Sequence, residues 1–150
     1  MTEKPRDPAF ESRVRDSFER QAAMAMMGAT LAHVGPGEVA IDVPFRSDLT
    51  QQHGFLHAGV TTSVMDTACG YAALTLMDPG TAVLSIEFKV NLLAPAKGEL
   101  FRATARVVRS GRTVSVVSGE FHVLDPAEET PVAVMTATMM TVRDRPGLVD

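Results

Sequence analysis

Residues 51–77 read QQHGFLHAGVTTSVMDTACGYAALTLM, and we expect a long helix inside the protein to begin within this stretch and to continue to its end. Apolar side chains predominate, Asp66 interrupts them, and Asp78-Pro79-Gly80 supplies the turn that ends the helix. Many of the remaining side chains are small, namely Ala58, Gly59, Ser63, Ala68, Cys69, Gly70, Ala72 and Ala73. Small side chains allow other backbone to approach closely. The pattern therefore predicts a helix over Leu56–Met77 with a sheet wrapped around it.

The segments around this helix alternate between apolar and polar residues, which predicts β-strands. In the strand that follows Gly80, alternation gives an apolar face of Ile86, Phe88, Val90 and Leu92. The opposite, polar face consists of Ser85, Glu87, Lys89 and Asn91. The other expected strands are Glu38–Phe45, a strand with the apolar face Phe101, Ala103, Ala105 and Val107, Thr113–Leu124, and Val132–Arg143. Because mostly short turns join them, we expect an α+β fold with a five-stranded antiparallel sheet against the helix.

Two further segments flank this core. Asp7-Pro8 resembles a helix N-cap followed by proline at the first helical position, and apolar residues then recur every four positions up to a stop at Gly28. This predicts a first helix from Pro8 to Met27, whereas the tail from Pro146 to Asp150 is expected to be frayed. We therefore expect one domain over residues 1–150, with an N-terminal helix and turn over residues 1–37 and the core over residues 38–143.

Composition and charge exclude several classes of function. The 14 basic and 18 acidic side chains give a formal net charge of −4, which argues against a general nucleic-acid binder. Cys69 is the only cysteine, so an intrachain disulfide is impossible. The apolar stretch around Asp66 is too interrupted for a membrane span, and the glycine patterns of nucleotide-binding loops are absent. A cytoplasmic protein that binds neither nucleic acid nor membrane is expected.

The start of the central helix carries the residues capable of chemistry. Burying Asp66 without a partner would be costly, so it lies at an edge, has a partner or is functional. His53 and His57 are four residues apart, as metal ligands often are, but no cysteine or carboxylate lies near enough in sequence to complete a zinc set. We therefore expect no metal site, and we expect Cys69 to be inert packing.

These motifs resemble those of the hotdog-fold acyl-CoA thioesterases, in the PaaI-like branch of the phenylacetate pathway. That branch typically shows Asn or Gln, then Leu-His-Gly-Gly, then a catalytic Asp or Glu on the central helix. The matching residues here are Gln51, Leu56-His57-Ala58-Gly59 and Asp66, and the likeness continues through Pro95-Ala96-Lys97-Gly98 and Arg109-Ser110-Gly111-Arg112. The resemblance covers about residues 38–143. It implies a hotdog fold that hydrolyses acyl-CoA to free acid and CoA without a cofactor, because CoA is part of the substrate.

The resemblance also implies roles for individual residues. The Ala58 N–H polarises the thioester carbonyl, Asp66 acts as general base or nucleophile, and Gln51 orients the water or carbonyl. Ser85 helps to hold the water and His57 lies near the thioester. Further substrate contacts are expected from Gly59, His53, Leu56, Arg109, Arg112 and Lys97, the cations near strand ends serving the CoA phosphates. Ala58 replaces a glycine of the family, so its role requires a negative φ.

The spacing within the helix predicts how the site is assembled. Ala58 and Asp66 are eight residues apart, which is about 12 Å along a helix, too far to contact one carbonyl group. Two antiparallel copies of the helix would bring Ala58 of one chain to Asp66 of the other. We therefore expect an obligate homodimer, as the resemblance also implies, and a tetramer of two dimers. Two alternatives remain open, a hotdog enoyl-CoA hydratase or dehydratase and a non-catalytic acyl-CoA-binding protein.

Overall fold

The computed structural model, which describes residues 3–150, contains one six-stranded sheet and a central helix. The helices are α1 (Phe10–Glu19), α2 (Ala22–Met27) and α3 (Ala58–Leu74). The strands are β1 (Thr30–Gly35), β2 (Glu38–Pro44), β3 (Ala82–Leu92), β4 (Leu100–Ser110), β5 (Val114–Leu124) and β6 (Glu129–Val142). The strand order is β1-β2-β4-β5-β6-β3 and all neighbours are antiparallel. α3 contacts β2 through β6, so the sheet wraps around the helix and the predicted hotdog architecture is confirmed.

Close packing holds α3 against the sheet. Eleven of its 17 residues are buried, and a Cβ built on Gly119 of β5 would lie 3.0 Å from the Cys69 Sγ. On the strands, Phe101, Ala103 and Ala105 of the predicted apolar face of β4 are fully buried and Val107 is half-buried, and the rings of Phe101 and Phe121 stack with their centroids 5.6 Å apart. No helix within residues 3–150 is long and apolar enough to cross a membrane.

The predicted first helix is wrong in one respect, because it is broken into α1 and α2. Gln21 adopts an extended conformation between them and changes the direction of the chain. The break turns Met24 and Met27 into the core and leaves Met26 61% exposed, although a continuous stripe would bury Met26. Gly28 ends α2 with a positive φ of 72°, which confirms the predicted stop.

The predicted strand count was one too low, because β1 was missed. β1 is an edge strand whose residues 30–33 remain largely exposed, and a bulge between Leu31 and His33 disrupts its alternation. Period-two patterning detects such a strand poorly. The central helix is also shorter than expected, since it begins at Ala58 and ends at Leu74 instead of spanning residues 56–77.

The C-terminal tail is docked, and the prediction of a frayed end is wrong. The Asp150 carboxylate accepts hydrogen bonds from Ser17 Oγ at 2.9 Å and from the Val83 N–H at 2.9 Å. The Arg13 guanidinium donates to the Asp150 carbonyl oxygen. These contacts join residues far apart in sequence, so the amino-acid composition of the tail does not predict them.

β3 forms the other edge of the sheet, and its apolar side chains remain uncovered. It pairs with β6 alone, and Ile86, Phe88 and Leu92 are 52%, 43% and 57% exposed. A long apolar edge strand is a surface that proteins normally cover, so β3 is a candidate surface for association.

The contact at Gly119 predicts a strong effect of adding a side chain there. Gly119→Val would force its methyl groups against Cys69 and Met135, and we expect a loss of about 1–3 kcal/mol in the free energy of unfolding. Urea denaturation measures the change. Ser118→Val, on the exposed face of the same strand, is the control and should be nearly neutral. Equal stability of both variants would contradict the close packing of α3 on β5.

Candidate active site

Asp66 lies on the one side of α3 that the sheet leaves partly open. The half-buried positions of this side form a polar stripe of Thr62, Ser63, Asp66 and Thr67. Ser85 Oγ donates a hydrogen bond of 2.6 Å to Asp66 Oδ1, while Oδ2 accepts none from residues 3–150. One carboxylate oxygen is therefore held in place, and the other is available to a water or a substrate.

A bulge in β3 makes the contact between Ser85 and Asp66 possible. Strict alternation puts Ser85 on the opposite face from Phe88, but the register shifts between Ser85 and Glu87. Ser85 pairs with Met139 and Phe88 pairs with Ala137, and both partners are fully buried residues of the helix-facing side of β6. The expected face of Ser85 was therefore wrong: the extra residue turns its hydroxyl towards α3.

The start of α3 presents one free backbone donor. Gly59 N–H donates to His57 Nδ1 at 2.8 Å, and Val60 and Thr61 N–H donate to the His57 carbonyl oxygen. The Ala58 N–H has no acceptor among residues 3–150, and Ala58 is not one of the residues with positive φ. The replacement of glycine by alanine therefore leaves a donor at the positive end of the helix.

Gln51 and Ala58 line a mainly apolar cavity of about 440 Å³, which we call the Ala58 cavity. Its walls also include Phe55, Leu56, Leu92 and Pro95. The Gln51 side-chain oxygen accepts a hydrogen bond from the His53 N–H, which orders the loop before the helix. Leu56 is buried, and its N–H donates to the carbonyl oxygen of Ala96.

Asp66 and Ser85 line a second cavity of about 360 Å³ between α2, α3 and the start of β3, which we call the Asp66 cavity. It contains polar groups that the sequence did not indicate, including Gln21, Thr67 and Tyr71. The structure thus brings Gln51 to Ala58 and Ser85 to Asp66, but it leaves the two pairs in separate cavities. This separation agrees with the distance of about 12 Å expected along α3.

The predicted histidines lie at the start of α3, but the predicted cations are divided between the two ends of β4. The His57 side chain caps α3 by accepting a hydrogen bond from the Gly59 N–H, whereas His53 is exposed in the preceding loop. Lys97 follows Ala96 of the Ala58 cavity, but Arg109 and Arg112 lie at the other end of β4, so one chain does not group the three cations. Within residues 3–150, no three His, Cys, Asp or Glu side chains form a group that could hold a metal ion.

Cys69 has the packing role that the sequence indicated. Its side chain is fully buried, and its thiol lies 3.9 Å from the Met135 sulfur. Burial, with a smaller contribution from the charge of Asp66, raises the pKa of Cys69 from 9.0 to about 12. A thiol that remains protonated at neutral pH is a poor nucleophile.

Known proteins share both the fold and the sequence pattern. The family description "Thioesterase superfamily" matches residues 53–130, which include α3 and β3 to β5. A thioesterase family protein from Silicibacter pomeroyi is 48% identical, with a TM-score of 0.88 over 90% of this chain and 99% of that one. The PaaI protein of Escherichia coli has the same fold at 19% identity, with a TM-score of 0.80 over 89% and 94% of the two chains. Human acyl-coenzyme A thioesterase 13 is 30% identical over 90 residues, 59% of this chain and 64% of that enzyme, so the match spans less than two thirds of its length.

The raised pKa predicts that Cys69 is unreactive until the protein unfolds. A shift from 9.0 to about 12 reduces the thiolate population about 10³-fold at pH 8, and burial blocks access in addition. A maleimide or iodoacetamide reagent should therefore label the native protein very slowly and the urea-unfolded protein rapidly, as mass spectrometry would show. Fast labelling of the folded protein would contradict this placement of the thiol.

Proposed function

The chain belongs to the thioesterase superfamily, and we propose that it hydrolyses acyl-CoA thioesters to free acid and CoA. The observation that carries this proposal is the Asp66 carboxylate, which Ser85 holds at Oδ1 while Oδ2 stays available. A protein that merely bound an anionic ligand would have no use for such a carboxylate. An oriented carboxylate beside a reacting carbonyl is what thioester hydrolysis requires.

In the proposed reaction, the free Ala58 N–H donates to the thioester carbonyl oxygen and stabilises the negative charge that develops on it. Asp66 acts on the carbonyl carbon, either as the base that removes a proton from an attacking water or as the nucleophile itself. With Asp66 as base, the water oxygen adds to the carbonyl carbon, the C–S bond breaks, and the proton that Asp66 took from the water passes to the CoA sulfur. With Asp66 as nucleophile, the C–S bond breaks to give an acyl-Asp66 anhydride and CoA leaves as its thiol with a proton from water. A further water then hydrolyses the anhydride to the free acid and restores the Asp66 carboxylate. Gln51 orients the water or carbonyl from the loop before α3, while His57 acts by fixing the start of the helix.

A second copy of the chain completes the site in this proposal. β3 runs from Val83, near Gly70 in the second half of α3, to Leu92 at the Ala58 cavity. Antiparallel association of two uncovered β3 edges would place the Leu92 end of one chain beside the Ser85 end of the other. The Ala58 cavity of one subunit would then face the Asp66 cavity of its partner, and exposed apolar side chains would be buried.

The same arrangement accounts for the separated cations. Lys97 lies at the Ala58 end of β4, whereas Arg109 and Arg112 lie at the end that is level with Ser85. Antiparallel pairing would bring opposite ends of two sheets together, so the three cations could serve the phosphates of one CoA. Gly59, His53 and Leu56 keep their proposed contacts at the start of α3, and a tetramer of two such dimers remains a prediction.

The Asp66→Asn variant tests the catalytic carboxylate. The amide nearly preserves the shape but cannot remove a proton or attack a carbonyl, so turnover should fall by about 10²–10⁴-fold. Thiol release from acyl-CoAs of increasing chain length, including aryl-acetyl groups, gives the rate. Asp16→Asn, on the exposed face of α1, is the control and should retain the wild-type rate. Near-normal turnover by Asp66→Asn would exclude the assigned role.

A mixing experiment tests whether the site is shared between subunits. Ala58→Pro removes the N–H at the first helical position, where proline is favoured, and the extended His57 before it is compatible with proline. Ala58→Pro and Asp66→Asn should each be inactive. After unfolding and refolding together, half of the dimers are mixed and each has one intact composite site, which restores about a quarter of the wild-type activity.

Two controls define the interpretation of that experiment. Ala58→Val adds bulk to the cavity but keeps the N–H, so it should be more active than Ala58→Pro. Each inactive variant refolded alone should remain inactive. If the mixture also stays inactive while wild-type protein regains activity by the same procedure, the two groups do not come from different subunits.

A further inference from the structure

A chain of hydrogen bonds forms the inner wall of the Asp66 cavity. Thr67 Oγ1 contacts the Gln21 Oε1 at 3.0 Å, and the Gln21 Nε2 contacts the Tyr71 hydroxyl at 3.2 Å. The Tyr71 hydroxyl lies 3.1 Å from Ser17 Oγ, which lies 2.9 Å from Asp150 Oδ1. These hydrogen bonds thus connect α3 to the junction of α1 and α2 and to the C-terminal tail.

Because this series of hydrogen bonds ends at the Asp150 carboxylate, the donor and the acceptor of every bond in the series are determined. A carboxylate only accepts, so Ser17 donates its one proton to Asp150. Tyr71 must then donate to Ser17, and burial raises the pKa of Tyr71, which keeps that proton in place. Since the Tyr71 proton is used, Gln21 donates to Tyr71 through Nε2 and accepts from Thr67 through Oε1.

One hydrogen-bond donor of Gln21 is not used by these contacts. The Gln21 amide has two N–H groups, and only one of them is used, by Tyr71. Gln21 lines the Asp66 cavity together with Asp66, Ser85 and Leu84. No acceptor within residues 3–150 takes the second N–H, so Gln21 has a donor to offer to a ligand in the cavity that holds the proposed catalytic carboxylate.

Charge determines which half of a substrate reaches this donor. Asp66 and Asp150 both line the Asp66 cavity and none of its lining residues is a cation, so its wall is the less favourable side for the phosphates of CoA. Lys97 follows directly after the wall of the Ala58 cavity, which is the more favourable side for those phosphates. The acyl group of a thioester held between the two cavities therefore points into the Asp66 cavity and towards Gln21.

We propose that Gln21 selects acyl groups that carry a hydrogen-bond acceptor, such as hydroxyacyl or oxoacyl chains, by donating its second N–H to that oxygen. The proposal rests on the proposed thioesterase function and deepens it. An unsubstituted chain would leave this donor without a partner after displacing water from the cavity, which costs binding free energy. An acceptor at the right carbon would restore the bond.

The test compares substrates of matched length. Hexanoyl-CoA, its 3-, 4-, 5- and 6-hydroxy derivatives and 5-oxohexanoyl-CoA are offered to wild type and to Gln21→Met, which has a similar volume but no donor. For wild type we expect kcat/KM to be about 10-fold higher for at least one oxygenated chain than for hexanoyl-CoA, as one net hydrogen bond provides. In Gln21→Met this preference should disappear, chiefly through the oxygenated substrates, with hexanoyl-CoA little affected.

A second pair of variants keeps the test informative if Gln21→Met folds poorly. Ala23 is exposed on α2 and lines the same cavity, whereas Ala25 is exposed on that helix but does not line it. Ala23→Leu should lower kcat/KM for hexanoyl chains more than for acetyl-CoA, and Ala25→Leu should change neither. Equal behaviour of the two variants would show that the acyl group does not enter this cavity and would overturn the proposal.

The remaining outcomes distinguish a wrong role for Gln21 from a wrong proposed function. If wild type releases thiol but shows no preference for an oxygenated chain, or if Gln21→Met keeps the preference, the role of Gln21 is wrong while the thioesterase function stands. If wild type releases thiol neither from these substrates nor from longer acyl-CoAs, the proposed function itself fails. A selective loss with oxygenated substrates is the result that supports Gln21 as the specificity-determining residue.

Discussion

Close packing of α3 against the sheet is the constraint on which the other features of the molecule depend. The sheet approaches so closely that Gly119 has no room for a side chain beside Cys69. Because the sheet covers most of the helix surface, polar residues are left on one narrow side, and Asp66 is the only charged residue among them. The position of the carboxylate is therefore a consequence of how the helix is buried. A rigid helix also holds Asp66 and the Ala58 N–H at a constant separation, which a single chain cannot shorten.

The irregularity of β3 is as important for the site as its regular pairing. A regular strand would direct Ser85 to the outer face of the sheet, where it could not reach α3. One additional residue, Ile86, restores the helix-facing orientation of Ser85 while Phe88, Val90 and Leu92 also face that side. Bulges bend a strand and redirect a side chain without loss of the flanking pairs. The partner of Asp66 is thus determined by strand register, and the identity of residue 85 alone does not ensure the contact.

Features determined by local pattern were predictable from the sequence, and features determined by distant contacts were not. The strands β2 to β6 follow from alternation, and Gly28 and the small residues of α3 have direct local meaning. The edge strand β1 was missed because a bulge breaks its pattern, and the α1–α2 break occurs where Gln21 bonds to Thr67 and Tyr71, about 50 residues away. The docking of Asp150 on Ser17 and Val83 has the same character. Motif resemblance indicated Asp66, Ala58 and Ser85, and helix spacing predicted that Ala58 and Asp66 lie apart, but the bulge that turns Ser85 towards Asp66 required the fold.

The distribution of charge explains how an acidic chain could bind an anionic substrate in the proposed function. The formal net charge is −4, yet charges farther apart than about 8–10 Å are screened at physiological ionic strength, so the groups near each cavity decide. Asp66 and Asp150 make one cavity unfavourable for phosphate, whereas Lys97 lies beside the other, which contains no carboxylate among its lining residues. A thioester with a phosphate-bearing end and an uncharged acyl end would therefore be oriented before any specific contact with the acyl group forms. The carboxylates that repel the phosphates would at the same time direct the acyl end past Asp66, so a single arrangement of charge serves both binding and catalysis.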